Sequence, residues 1–314
     1  MNFSQLHCFV ALAETGSFTE TAYTTHLTQS AVSHALSALE RELGVSLLER
    51  NNKGVVALTG IGCSLLPHAR ALLAEAEAIE QGARAARGLL KGNLRLGSIP
   101  PVSSPLLAGV LAHFHQQYPD IDVVLFEGTF QEVEEWLGSN VIDVGFVYHP
   151  TKGVESTYLA TDELHVFVAN GHRFHARTSV TVGDLHDESL IARPAGCDVP
   201  SIFEHHGEKH RPPIRYQASE GSTILAMVRE GLGITILPRK LLPDKLEGIT
   251  AIPLDPPRAS HIGLAVRSMA SASPAALLFV QTAVAWVQEQ VTLLPSASFG
   301  AENGQTASHC SLVQ

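Results

Sequence analysis

Residues 17–42 read SFTETAYTTHLTQSAVSHALSALERE, and this stretch predicts two short helices joined by a tight turn. Ser17 followed by Glu20 has the spacing of a capping box, which would begin the first helix. Thr28 can cap the second helix, directly after Leu27, a turn residue that we expect to be buried. The stretch therefore predicts a compact helical hairpin.

The second predicted helix has one apolar face and one polar face. Its apolar residues recur at steps of four, three and four, at Val32, Leu36, Leu39 and Leu43. The opposite face carries short or uncharged polar side chains. Such a face can lie deep in the major groove of DNA, where Gln, Ser and His contact base edges and phosphates. An ordinary helical hairpin with a solvated polar face explains the same periodicity equally well.

Beyond Gly44, residues 46–59 (SLLERNNKGVVALT) predict a strand, a turn and a second strand. Taken alone, this segment is typical of a plain surface hairpin, but its place behind two helices favours a wing lying along DNA. The predicted DNA-binding residues are Thr28, Gln29, Ser30, Ser33, His34, Ser37, Arg50 and Lys53.

Two stretches, MNFSQLHCFVALAETGSFTETA (1–22) and TQSAVSHALSALERELGVSLLER (28–50), resemble the winged helix-turn-helix of LysR-type transcriptional regulators. The first is similar to the family's opening helix and GSF turn, the second to its recognition helix and the run into the wing. The family usually has leucine, proline and an acidic residue where this chain has Thr25, Ser30 and Gly60. None of these departures removes a base-contacting residue type, so the resemblance implies binding to double-stranded DNA.

Composition restricts the class of protein. A chain of 314 residues with 45% apolar residues fits a small domain plus one or two larger ones. It has no apolar run long enough to cross a bilayer, no basic leader and no CxxC among its four cysteines, so we expect a cytoplasmic protein without membrane contact, metal or cofactor.

Residues 1–60 hold three cationic and five acidic side chains, a net charge of −2. We therefore expect one module to bind DNA weakly and several to act together.

The next segment predicts a long helix that begins after Thr59 and runs to about Leu90. Apolar residues at alternating steps of four and three form a heptad seam of Leu65, Ala69, Leu72, Ala76, Ile79, Ala83, Ala86 and Leu90. The seam favours pairing with a second copy, although an Ala-rich helix packed on its own domain would show the same pattern. The resemblance implies a linker helix (59–91), a homodimer through residues 59–90, and a homotetramer.

From Asn93 onward, strand and helix patterns alternate, which predicts an α/β fold. PDIDVVLFEG (119–128) and MVREGLGITILP (227–238) resemble the two-lobed, Rossmann-like effector domain of LysR-type regulators, which is similar to type 2 periplasmic binding proteins. The predicted division is a winged helix-turn-helix at 1–58, the linker helix, an effector domain at 92–295 and a disordered tail at 296–314. Lobe I would hold about 92–163 and 266–295, and lobe II about 164–265.

Ligands of open α/β sheets bind at the carboxyl ends of strands, and hydroxyl groups follow several predicted strands here. The predicted effector-binding residues are Ser98, Ser103, Ser104, Thr129, Ser201, Ser219 and Thr223. Hydroxyls with free N–H groups suit a carboxylate or another polar metabolite, although each hydroxyl taken alone is more often just a helix cap. Arg193 could add a positive charge or be solvated. The spacing of His205, His206 and His210 favours an exposed segment over a metal site.

These patterns together predict a DNA-binding transcriptional regulator controlled by a small, anionic metabolite bound between two lobes. The chain has no GxSxG, P-loop or GxGxxG motif, so we do not expect an enzyme. The alternative is a small-molecule binding protein or enzyme whose first 90 residues serve only for dimerisation. Cys197 follows a glycine and could be a redox sensor, but no second cysteine lies near it in sequence to resolve a sulfenic acid, so the sequence does not decide whether it has this role.

Overall fold

The computed structural model describes residues 1–49, 57–102, 106–148, 150–151, 153–193, 203, 212–239, 242 and 246–293. Several predictions concern residues outside these ranges. They are the wing residues Arg50 and Lys53, the effector residues Ser103, Ser104 and Ser201, Cys197, the histidines at 205, 206 and 210, and the tail 296–314.

The N-terminal domain is a three-helix unit followed by a short strand pair. Helices α1 (Phe3–Thr15), α2 (Phe18–Thr24) and α3 (Gln29–Leu43) precede strands β1 (Leu48–Glu49) and β2 (Ala57–Leu58). Asn2 and Gln5 form a reciprocal capping box at the start of α1, which the sequence analysis did not identify. The two strands pair antiparallel, with Leu48 opposite Leu58, which confirms the predicted strand pairing.

The core of this domain combines residues from four helices. Phe9 and Leu12 of α1 pack with Val32, Leu36 and Leu39 of α3. The prediction that Leu27 is buried is wrong, because it is 40% exposed; Leu43, the last residue of the predicted apolar face, is also 40% exposed. Leu27 lies in the turn between α2 and α3, and Leu43 is the last residue of α3.

The linker helix α4 (Gly60–Ala85) begins at the predicted cap, where Thr59 accepts a hydrogen bond from the Gly62 N–H over 3.0 Å. It continues through Pro67 and Gly82 but ends five residues before the predicted end at Leu90. Gly88 has a φ of 75°, a left-handed conformation in which the chain turns back toward the next strand. Ala86 and Leu90, two predicted seam residues, therefore lie outside the helix.

The first lobe is built on a mixed sheet. Strands β3 (Gly92–Ser98), β4 (Ile121–Glu127) and β5 (Val144–Tyr148) are parallel, in the order β4-β3-β5. The sheet continues antiparallel through β11 (Ala259–Val266) to β6 (Glu155–Ala169). The lobe's helices are α5 (Pro100–Val102), α6 (Ala108–Gln117), α7 (Phe130–Gly138) and the closing helix α9 (Pro274–Leu293).

The core of the first lobe is sealed by the end of the chain. Phe279 of α9 meets Phe114 of α6 edge-on, with ring centroids 5.2 Å apart, and both rings are fully buried. The closing helix thus packs into the core of the first lobe, the lobe to which the sequence analysis assigns residues 266–295.

The second lobe uses the far half of β6. This half pairs antiparallel with β9 (Thr235–Pro238) on one side and β10 (Ile249–Pro253) on the other. Strands β7 (Leu190–Ala192) and β8 (Ile214–Gln217) are parallel, and a bridge between Leu190 and Ile234 joins them to the start of β9. Helix α8 (Gly221–Arg229) packs against this sheet through Ile224 and Val228.

Strands β6 and β11 carry the chain between the lobes. Residues 155–163 of β6 pair with β11, whereas residues 165–169 pair with the strands of the second lobe. Since β11 also pairs with β5, residues 259–265 belong to the sheet of the first lobe. This favours a return crossing before Ala259, earlier than the predicted boundary at 265.

No helix within the described ranges combines the length and hydropathy that a membrane span requires.

Candidate DNA interface and interlobe site

The polar face of α3 is exposed to solvent, opposite its buried apolar residues. Val32, Leu36 and Leu39 are at most 2% exposed. The exposed polar residues are Gln29, Ser30, Ser33, His34 and Ser37. A helix that offers uncharged donors and acceptors on one face can enter the major groove without displacing its own packing.

Thr28 begins α3 as predicted. Its hydroxyl accepts a hydrogen bond from the Ala31 N–H over 3.2 Å and shares a 3.0 Å hydrogen bond with the Ser30 hydroxyl. Two other first-turn N–H groups of α3 stay available to a phosphate, which a helix N-terminus attracts. Ser30, which stands where the family usually has proline, thus adds a polar contact to the cap.

Most acidic side chains of the N-terminal domain contact other groups of the same chain. The carboxylate of Glu14 pairs with Arg70 of α4 at 3.2 Å, and Glu42 pairs with the α-amino group of Met1. Glu40 accepts hydrogen bonds from the N–H groups of Leu47 and Leu48, at 2.7 and 3.3 Å. Three of the five acidic side chains therefore have structural partners within the same chain.

Helix α2 is anchored by hydroxyl groups that the sequence analysis missed. The fully buried Thr21 hydroxyl donates to the Ser17 carbonyl over 2.8 Å and lies 2.8 Å from the Thr15 hydroxyl. The Ser17 hydroxyl caps α2 as predicted by accepting from the Glu20 N–H. The predicted capping box is not completed, because the Ser17 N–H donates to the Thr15 hydroxyl over 3.4 Å. Thr25 donates to the Thr21 carbonyl over 2.6 Å, so its hydroxyl is satisfied where the family usually has leucine.

The predicted seam on α4 divides into two parts. Leu65 and Ala69 pack into the core of the N-terminal domain of the same chain. Leu72 and Ile79 are 46% and 74% exposed. Residues seven apart lie on one face of a helix, so this pair leaves an apolar stripe uncovered by its own chain.

The sheet register directs the carboxyl ends of the first-lobe strands toward the second lobe. Strand β11 enters the first lobe at Ala259, opposite Glu163 where β6 leaves it, and β5 runs antiparallel to β11. The carboxyl end of β5 therefore points to the crossing, and the parallel strands β3 and β4 end on the same side. Ser98 is the last residue of β3 and Thr129 lies two residues after β4, and the Gly128 N–H donates to the Ser98 carbonyl over 3.1 Å.

The strands of the second lobe end toward the same crossing. Strand β9 runs antiparallel to β6, with Pro238 at its carboxyl end opposite Leu164, next to the crossing. Strands β7 and β8 run parallel to β9, so Arg193 and Ser219 follow strand ends that face the first lobe. The Ala218 N–H donates to the Ala192 carbonyl over 3.1 Å, which holds these two ends together.

Thr129 acts as a helix cap at this junction. Its hydroxyl accepts from the Glu132 N–H over 3.2 Å and donates to the Glu132 carboxylate over 2.9 Å. The N–H and hydroxyl of Thr129 together hold the pKa of the exposed Glu132 carboxyl below its usual value. Ser98 is fully buried at the end of β3, whereas Ser219 and Thr223 are exposed around the start of α8.

Arg193, which is not among the predicted effector-binding residues, lies at the N-terminus of α8. A Cβ atom on Gly221 would come within 3.1 Å of its Nη2. Its Nε is buried and makes no hydrogen bond to any residue that the structure describes, and the cap residue of α8, Glu220, makes no side-chain cap hydrogen bond. Two positive groups, the guanidinium and the helix N-terminus, therefore meet between the lobes, an arrangement that favours a bound anion.

Two family descriptions match this chain. "Bacterial regulatory helix-turn-helix protein, lysR family" matches residues 3–63, and "LysR substrate binding domain" matches residues 87–288. Among relatives, "Uncharacterized HTH-type transcriptional regulator YvbU" of Bacillus subtilis (strain 168) is 36% identical over 287 residues, which cover 90% of this chain and 98% of the relative. "HTH-type transcriptional regulator EstR" of Acinetobacter baylyi is 32% identical, over 74% of this chain and 78% of EstR.

Solved structures show the same architecture. A full-length OxyR variant from Pseudomonas aeruginosa is similar with a TM-score of 0.75 and 25% identity, over 90% of this chain and 98% of OxyR. Full-length CbnR complexed with its target DNA is similar with a TM-score of 0.62 and 26% identity, over 91% of this chain and 100% of the CbnR chain. With its helix-turn-helix, linker helix and two-lobed domain matched along their length, the chain belongs to the LysR family of DNA-binding transcriptional regulators.

Proposed function

We propose that this chain regulates transcription as a homodimer and that a small anionic metabolite, bound between the two lobes, controls how it engages DNA. The observation that supports the effector class is Arg193 beside the N-terminus of α8, because its buried Nε has no hydrogen-bond acceptor among the described residues. Burying a guanidinium donor without an acceptor is unfavourable, so the site gains stability when an anion supplies one.

A carboxylate fits this site better than a neutral metabolite. A carboxylate can accept two hydrogen bonds from a guanidinium and further bonds from backbone N–H groups at the start of α8. The proposed lining adds the hydroxyls of Ser98 and Thr129 from the first lobe, and Ser219 and Thr223 from the second. Ser103, Ser104 and Ser201 complete the proposed set from sequence alone.

The proposed control works through the two crossing strands. An anion held by both lobes favours their closed arrangement, and any ligand shifts such an equilibrium only by its difference in affinity for the two states. Because β6 and β11 are the connections, closure changes the orientation of the first lobe relative to the second and thus the surfaces that dimers offer to one another.

The proposed dimer forms through the exposed stripe on α4. Pairing two copies would cover Leu72 and Ile79 and would present two α3 helices to two half-sites on DNA. Pairs of dimers would add further contacts as a tetramer, which offsets the weak binding expected of one module. Operator DNA lies in the cytoplasm of a bacterium, and we place the protein there.

Thermal unfolding of the full chain in the presence of small carboxylic acids tests the effector proposal. A ligand at 100 times its dissociation constant stabilises the folded state by about 2.7 kcal/mol. We expect a carboxylate to raise the unfolding temperature of the wild type but not of Arg193→Gln. Arg215→Gln, in the exposed β8 strand, is the matched control and should respond like the wild type. An equal response of both variants, or a response only to neutral ligands, would contradict the proposal.

A gel shift with the DNA upstream of the chain's own gene tests the DNA-binding surface. Gln29→Ala and Ser33→Ala change exposed residues of α3, so we expect both to lose the discrete shifted band while keeping their helix content. If neither variant changes the band, α3 does not read this DNA. That result would favour the alternative of a ligand-binding protein or enzyme that uses its first 90 residues for dimerisation.

A further inference from the structure

Gln81 of the linker helix α4 is polar but buried. Gln81 is only 4% exposed. Its side-chain amide makes three hydrogen bonds. Nε2 donates to the Asn93 carbonyl over 3.1 Å and to the Glu77 carboxylate over 3.4 Å, while Oε1 accepts from the Ala275 N–H over 3.4 Å. A buried amide needs such partners, because leaving its donors and acceptor unpaired would destabilise the fold.

Two of these partners are backbone groups from separate elements of the first lobe. Asn93 lies in β3, and Ala275 is the second residue of α9, where N–H groups have no partner within the helix. The space for the amide depends on Gly92, since a Cβ atom there would lie 2.8 Å from the Gln81 Cδ. One side chain of the linker helix thus joins the start of the first lobe to its closing helix.

We call the contacts of Gln81 with Asn93 and Ala275 the joint. Charged contacts lie on both sides of it. The carboxylate of Glu75 pairs with Arg267, the residue after β11, at 2.9 Å. Glu77 lies near the ion pair of Arg95 and Asp143, whose closest atoms are 2.6 Å apart. Burial raises the pKa of the Glu77 carboxyl above its usual value, and the nearby Arg95 opposes this rise.

The joint occupies the face of α4 that the proposed dimer leaves free. Gln81 follows Ile79 by two residues, which places them about 200° apart around the helix. Further toward its N-terminus, the same helix contributes Leu65, Ala69 and Leu73 to the core of the DNA-binding domain. Helix α4 is therefore bonded at one end to the DNA-binding domain and at the other end to the first lobe of its own chain.

We propose that Gln81 is a positioning residue that locks the linker helix onto the first lobe, so that the orientation of the effector domain sets the orientation of the DNA-binding domain. This inference rests on the proposed function for its consequence, the spacing of the two α3 helices on DNA. It differs from a flexible connection, in which residues 86–91 would uncouple the two domains.

Gln81→Leu tests the joint in the full chain, because leucine keeps the approximate size but none of the hydrogen bonds. The Ala275 N–H bonds only to Gln81 among the described residues, so we expect its hydrogen exchange to accelerate about tenfold or more. We also expect small-angle scattering to show a broader distribution of interdomain distances, and DNase I protection of the upstream DNA to change in length or periodicity.

Two further variants keep the test decisive. Gly92→Ala displaces the Gln81 amide from the other side and should reproduce all three changes even if Gln81→Leu folds poorly. Gln117→Leu makes the same chemical change at an exposed position of α6 and should leave them all unaltered. Faster exchange at Ala275 with unchanged scattering and unchanged footprint would overturn the proposal, since the joint would then only stabilise the lobe.

The outcomes separate this inference from the proposed function. If the wild type shows no specific footprint, the proposed function fails, while exchange and scattering still report whether Gln81 holds the domains together. If the footprint is present and Gln81→Leu leaves it and the scattering unaltered, only the inference about Gln81 fails.

Discussion

Replacing Ile79 with aspartate tests whether the exposed stripe of the linker helix forms the dimer. In the protomer this side chain is 74% exposed, so the fold of a single chain does not need it. Ile79→Asp should therefore keep the helix content of the wild type. In a symmetric dimer, however, two aspartates would face the partner helices in place of two isoleucines.

The expected effect follows from the exposed fraction. Burying a whole isoleucine side chain contributes about 1.5–3 kcal/mol, so covering three quarters of it contributes about 1–2 kcal/mol for each chain. For two chains, the substitution removes about 2–4 kcal/mol from the free energy of dimerisation. The dissociation constant then rises about 30- to 700-fold, because each 1.4 kcal/mol is a factor of ten. Burial of the aspartate charge makes these values lower limits.

Sedimentation equilibrium over a wide concentration range measures the dissociation constant. Ile79→Leu should stay close to the wild type, since the apolar volume is kept. Ile214→Asp is the matched control, because it makes the same change at a partly exposed isoleucine of β8 in the second lobe. A dissociation constant for Ile79→Asp within threefold of the wild type would refute the reasoning and assign the dimer contact to another surface.

Three further predictions concern stability. Leu36→Ala, at 2% exposure in the core of the DNA-binding domain, should destabilise this domain by about 2–5 kcal/mol in denaturant unfolding, whereas Ser37→Ala next to it should not. Thr28→Ala removes the α3 cap and should cost about 1 kcal/mol by the same assay, with Thr28→Ser restoring most of it. The N–H and hydroxyl of Thr181, then Arg177, lower the pKa of Asp184 from 3.8 to about 2. Its stabilising effect is thus present above pH 3.8 and lost as the pH falls through about 2, so acid titration should show the deficit of Asp184→Asn disappearing over that range.

Local patterns predicted the helices of the N-terminal domain with good accuracy. The caps at Ser17, Thr28 and Thr59 lie where their sequences place them, because a cap depends on residues only three positions apart. The alternation of strands and helices likewise predicted the α/β fold, and the family resemblance implied its two lobes. The position of the linker helix end was less accurate, since Gly88 and not the apolar periodicity determines where the chain turns.

The predicted effector residues show where sequence reasoning stops. Hydroxyls after strands are common as helix caps, and Thr129 is one. Sequence order alone could not indicate that the strands of both lobes end toward one crossing, because this depends on the antiparallel pairing of β6 with β9 and β11. Nor could it decide whether Arg193 is solvated, because the burial of its Nε depends on a helix that begins 28 residues later.

The sequence by itself determined the family, the recognition helix with its polar face, and the apolar stripe of the linker helix, because each is a pattern of neighbours along one element. Only the tertiary structure decided which part of that stripe the chain covers itself, where the acidic side chains of the DNA-binding domain find partners, and that Gln81 joins the linker to the first lobe. These contacts join residues distant in sequence, such as Gln81 and Ala275, and no local spacing encodes them.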